Sequence, residues 1–141
     1  MSLIQPKNLT HDLIKEIFDQ SAHETSIDSE GDIYIKGDGI EYPVWVCLTR
    51  DKLINVFTYT KMKPDVLFQD AIEFANDLNQ QITLPSFSII TDEEEGLGLW
   101  AHYFLPTQYG TDPKTLISIV RRFSGAYRAG LMKDELEIFF V

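Results

Sequence analysis

The sequence holds a single cysteine, Cys47, among its 141 residues, so no intramolecular disulfide is available to it. Basic residues are scarce as well: 12 Lys and Arg against 22 Asp and Glu leave a formal charge of −10. That imbalance repels nucleic-acid phosphates and anionic headgroups from most of the surface, so neither nucleic acid nor a membrane is an expected partner. No apolar run approaches the roughly 20 residues a membrane span needs, and MSLIQPKNLTHD has neither a long apolar core nor a basic leader. A cytoplasmic location is the expectation. Histidine is limited to His11, His23 and His102, with no HExxH and no carboxylate pair at a fixed spacing. Gly37-Asp38-Gly39 and Gly96-Leu97-Gly98 do not open a helix after a strand, so they read as turns and not as phosphate cradles. Asp92 to Glu95 lacks the alternating oxygen ligands of a calcium loop and reads as a solvated hairpin tip. No catalytic set, metal or cofactor is therefore expected, and the chain reads as non-enzymatic.

What is present is an ordinary globular composition, 44% hydrophobic and 24% charged, enough for one domain over residues 1–141. Leu9, Leu13, Ile14, Ile17 and Phe18 recur at helical spacing after Asn8 and Thr10, either of which suits an N-cap, and predict a helix over 9–22. Three β-rich runs follow, over 33–36, 42–49 and 53–60, separated by Gly37-Asp38-Gly39 and Arg50-Asp51-Lys52. Pro64 and Asp65 suit the first turn of a helix over 64–79. Residues 86–91 and 97–105 flank a polar turn ending in Gly96 and predict a hairpin. Asp112 as cap and Pro113 at the first helical position begin a last helix with Leu116, Val120, Phe123, Tyr127 and Leu131 on one stripe. The tail, 135–141, is either a short strand or a docked end. The order α-β-β-β-α-β-β-α predicts an α+β fold with an antiparallel sheet.

Several residues stand out for contacts. Along 97–105, Leu97, Leu99, Ala101 and Tyr103 alternate with Trp100, His102 and Phe104, so both faces are largely apolar and the strand is central or meets a partner. Trp45, Trp100 and Tyr103 are the anchors to consider for protein contact, beside their ordinary reading as core. Cys47, between apolar neighbours, is expected to be buried and inert. The last helix and its ends carry Lys114, Arg121, Arg122, Arg128 and Lys133, five of the twelve basic residues. Arg121 and Arg128 fall on one side with Lys114 close by, a ridge that either pairs with acids such as Glu16 or Asp19 or is simply solvated, or else meets an acidic partner or a second subunit. In FANDLNQQI, helical projection places Asn79 on the apolar flank, where its amide suits the helix end, and Asn76 toward solvent. A small-molecule pocket near His102, Asn79 and Arg121 is the alternative to a protein-binding role.

The three-strand meander containing VWVCLTRDKLINVFTYT, the helix ending in Asn76-x-x-Asn79, the hairpin across an acidic turn and the closing helix together resemble the YbjN-like family of bacterial sensory transduction regulators. The resemblance spans about residues 10–133 and implies a fold like that of type III secretion chaperones. It further implies a homodimer, a regulatory role without a defined ligand, and a surface that holds another polypeptide; it brings no catalytic residues. Asn76, Arg121 and Arg128 join Trp45, Trp100 and Tyr103 as candidate partner-binding residues.

Overall fold

The computed structural model describes residues 3–140. Its first helix, α1 (His11–Gln20), begins where the Thr10 hydroxyl accepts a hydrogen bond from the Leu13 amide at 3.1 Å. This satisfies one of the amides that a helix start leaves free. Ile14, Ile17 and Phe18, spaced three and four apart, are buried on one side.

Four strands follow as an antiparallel meander: β1 (His23–Ile27), β2 (Ile33–Gly37), β3 (Val44–Leu48) and β4 (Ile54–Lys61). Helix α2 (Phe68–Gln81) then leads to the hairpin of β5 (Ser86–Asp92) and β6 (Gly96–Leu105), and α3 (Pro113–Leu131) closes the chain. The six strands lie in the order β1-β2-β3-β4-β6-β5, all neighbours antiparallel. The predicted α+β class and antiparallel sheet are therefore found, and β6 is an interior strand between β4 and β5.

Besides shifts of one or two residues at element ends, such as α1 over 11–20 where 9–22 was expected, three features depart from the sequence reading. Strand β1 was not expected; HETSI buries only His23, because an edge strand needs one row of backbone partners and little apolar patterning. Helix α2 starts at Phe68, four residues after Pro64, which lies with Asp65 in a turn, and it runs two residues past Asn79. Over 135–140 the tail forms no strand. It is docked: the Lys63 amide donates to the Phe139 carbonyl at 2.8 Å, and Phe74 packs on Phe139 and Phe140. Val141 lies outside the described residues.

All three helices cover one face of the sheet. Ile33, Ile35, Val44, Val46, Ile54, Val56, Leu99 and Ala101 point into that layer and meet Ile14 and Phe18 of α1, Ala75 and Leu78 of α2, and Leu116, Val120 and Tyr127 of α3 in one core. The strand period of two then dictates that the intervening residues all face away from the helices.

Candidate functional site

The uncovered face of the sheet is rich in aromatics. Register sets Tyr34 opposite Trp45, Trp45 opposite Phe57, Phe57 opposite His102, and Tyr59 opposite Trp100. The rings touch from strand to strand: Tyr34–Trp45 centroids are 4.9 Å apart, Trp45–Tyr59 5.5 Å and Phe57–Trp100 5.1 Å, the last two pairs stacked. Such cross-strand pairs stabilise the sheet by roughly 0.2–1 kcal/mol each. No helix covers them: Tyr59 keeps 40% of its surface exposed and Phe104 44%. Between these rings the side-chain Asn55 Oδ1 and His102 Nδ1 are buried and have no hydrogen-bond partner among the described residues. Charge on this face lies at its margins, at Glu24, Asp32, Lys36, Lys61 and Asp92. Cys47 also faces this way and is half-buried, where full burial was expected, because nothing packs over its strand. Burial and, after it, the nearby Asp32 raise its thiol above the ordinary cysteine range, so it is a poor nucleophile, as predicted.

Of the predicted anchors, Trp45 and Trp100 share this aromatic face, but Tyr103 does not. Tyr103 points to the helices and lines a cavity of about 400 Å³ with Leu84, Phe123 and Arg122. The alternative pocket is not assembled: His102 is on the uncovered face, Asn79 is on α2 across the sheet, and Arg121 is on α3 against His23. Asn76 is exposed on α2.

Asn79 instead forms a paired contact with β5. Its Nδ2 donates to the Phe87 carbonyl at 2.8 Å and its Oδ1 accepts from the Phe87 amide at 2.7 Å. Strand β5 is a sheet edge, and the primary amide supplies the donor and acceptor that another strand would. The helix end itself is closed by backbone, with the Ile82 amide donating to the Leu78 carbonyl at 2.7 Å.

The basic residues of α3 divide differently from the predicted ridge. Lys114, Ser118, Arg121 and Arg122 follow one stripe at i, i+4, i+7 and i+8, and with Ser21 and Ile117 they line an open concavity of about 670 Å³. Arg128, two turns beyond Arg121, is exposed and outside it. Of the two ordinary readings, pairing with Glu16 or Asp19 is absent, since Glu16 accepts from Gln20 at 3.1 Å and Asp19 is held by Lys15 at 2.8 Å, and the arginines are exposed as the solvated reading has them. That Lys15–Asp19 contact is the only salt bridge among the described residues.

His23 connects this stripe to the fold. Its Nδ1 donates to the Phe18 carbonyl at 3.3 Å and its Nε2 accepts from Arg121 Nε at 3.2 Å, which fixes the neutral tautomer. Burial holds its pKa below the ordinary histidine value, and the Arg121 charge adds to the depression. The unfolded chain therefore takes up the proton first as pH falls, and folded-state stability decreases from about pH 6.5 downward until the folded pKa is passed. Imidazole titration by NMR is expected to place His23 below the ordinary histidine value, with urea midpoints lower at pH 5.5 than at 7.5.

The comparisons with known proteins agree with this architecture. The family model of YbjN, "Putative bacterial sensory transduction regulator", matches residues 10–129. The crystal structure of YbjN from E. coli, described as "a putative transcription regulator", superposes with a TM-score of 0.80 at 11% identity, covering 99% of each chain. An uncharacterized protein from Methanothermobacter thermautotrophicus superposes with a TM-score of 0.64 at 12% identity, over 92% of this chain and 99% of that one. No curated protein matches the sequence. The family match spans most of the chain and the fold agrees over its whole length: the protein belongs to the YbjN family, bacterial regulators by description.

Proposed function

We propose that the protein is a non-enzymatic, chaperone-like regulatory module that acts in the cytoplasm through protein contacts and works as a homodimer joined by the aromatic face of its sheet. The observation that carries this reading is the uncovered row of Tyr34, Trp45, Phe57, Tyr59 and Trp100. An apolar patch of this kind on a chain of charge −10 marks an interaction surface, and aromatic side chains are the usual anchors of one. Its occupant is a second copy. Two such chains repel over most of their surfaces, whereas this face carries charge only at its margins, and a two-fold axis would set two identical uncharged rows against each other. Membership of a family of regulators supports the regulatory role.

Light scattering at tens of micromolar tests the assembly. The expected mass is twice the 16.2 kDa of the chain, and Trp100→Glu is expected to return it to a single chain with an unchanged circular dichroism spectrum. A wild-type monomer at that concentration defeats the proposal.

A further inference from the structure

A basic concavity lies on the helix side of the molecule, away from the aromatic face. The stripe Lys114, Ser118, Arg121 and Arg122 gathers three cations and a hydroxyl around one concavity on a strongly acidic chain. Such cations ordinarily find carboxylates or helix-end carbonyls; Asp38 acts on the neighbouring His23 and Glu41 lies against Gly125, yet among the described residues no carboxylate forms a salt bridge with Lys114, Arg121 or Arg122. Three of the last four carbonyls of α1 are already used: Ile17 O accepts from the Ser21 hydroxyl, Phe18 O from His23 and the Ser21 amide, and Asp19 O from the Ala22 amide. The Asp19 carboxylate is occupied by Lys15 and Thr25.

Arg121 is also positioned, not merely exposed. Its Nε is held by His23, which leaves both terminal amino groups of the guanidinium free of that bond. Gly39, at φ +83°, brings the β2–β3 turn against the same side chain; a Cβ there would lie 2.8 Å from Arg121 Nε. A fixed guanidinium with free terminal donors presents the fork that binds phosphoryl oxygens in pairs.

We propose that this concavity is a binding site for a small phosphate-bearing anion, held by Arg121, Arg122 and Lys114 with the Ser118 hydroxyl as a further donor. The overall charge selects for size. The field of an exposed charge decays over about 8 Å at physiological ionic strength. A compact anion therefore feels mainly the three cations, whereas a nucleic-acid duplex extends over the acidic remainder of the surface and is repelled by it. The concavity, at about 670 Å³, leaves room for an ester group beyond the phosphate.

Calorimetry in low salt tests the site with inorganic phosphate, pyrophosphate and adenosine monophosphate as probes. Pyrophosphate is expected to bind, to weaken as sodium chloride is added, and to lose at least about tenfold in affinity in the Lys114→Gln/Arg122→Gln double variant, since two charged contacts are removed. Both residues are exposed, so the variant should keep its fold, which circular dichroism checks. Lys133→Gln, outside the concavity, serves as the control and is expected to bind as the parent does. Tighter binding of adenosine monophosphate than of inorganic phosphate assigns the site to an ester; the reverse assigns it to the free anion. The proposal is overturned by absent pyrophosphate binding, by a smaller loss in the double variant, by an equal loss in Lys133→Gln, or by duplex DNA binding more tightly than pyrophosphate.

Discussion

Replacing Tyr127 by alanine is expected to lower the free energy of unfolding by about 3–5 kcal/mol, the range for removing a large buried aromatic side chain. Tyr127 is fully buried on α3 and is among the largest side chains in the core. Its ring lies 4.9 Å from that of Tyr42 and stacks at 6.0 Å on Phe87. Its hydroxyl donates to the Leu99 carbonyl at 2.8 Å and lies 2.7 Å from Thr60 Oγ1, which in turn lies 2.6 Å from the Tyr42 hydroxyl. One side chain thus ties α3 to β4, β5, β6 and the segment before β3. Truncation would leave both a cavity and the partners of a buried polar network unmatched. Tyr127→Phe separates the two contributions: the ring stays, and the expected loss falls to about 1–2 kcal/mol. Urea unfolding followed by tryptophan fluorescence measures both; a loss below 1 kcal/mol for the alanine variant would show that the core closes around the gap. Burial drives the Tyr127 phenol well above the ordinary tyrosine range. Its contribution is therefore complete below about pH 10 and declines above it, as the unfolded chain ionises first.

The second prediction separates the two asparagines of FANDLNQQI. Asn79→Ala is expected to cost about 1–2 kcal/mol, because two hydrogen bonds to Phe87 are lost at about 0.5–1.5 kcal/mol each and water replaces them only in part. Asn76→Ala is expected to change stability by less than about 0.5 kcal/mol, as an exposed helical position whose replacement has the higher helix propensity. Hydrogen exchange gives the local readout. The Phe87 amide should exchange faster in Asn79→Ala, while the amides of β4, at the sheet centre, should follow only the global change. Equal behaviour of the two variants would mean that the edge of β5 is held by the packing of Phe87 alone. Loss of this contact also uncovers a strand edge, so the Asn79 variant is the one expected to self-associate on mild heating.

Much of this molecule was legible from residue spacing. The cap at Asp112, a cap for α1 at one of Asn8 and Thr10, the meander, the second hairpin and the two-faced character of 97–105 are local patterns, and the structure takes Thr10 for the first cap. The misses are equally physical. β1 carries almost no apolar alternation because its pairing energy comes from backbone bonds to β2. The start of α2 was read too early because Pro64 and Asp65 suit a turn as well as a first helical turn.

The candidate sites were less legible, since each depends on which elements meet. Helical projection placed Asn79 on the apolar flank, but its partner is eight residues away across a loop, and no periodicity announces a side chain that imitates a strand. The stripe on α3 was visible as charge. That Arg122 and not Arg128 joins Arg121 depended on where α1 ends beside it. His23, the residue that fixes Arg121, lay in an unrecognised strand 98 positions away.

The sequence by itself determined the fold class, the element order apart from β1, and the acidic surface, because these follow from spacing and composition. Only the tertiary structure decided that all three helices share one side of the sheet. That single fact leaves Trp45 and Trp100 uncovered, places Tyr103 among the helices and separates His102 from Asn79 and Arg121. The physical reason is that a strand's alternation defines two faces without saying which one the helices will bury. Long-range packing makes that choice, and with it the choice between core and interface.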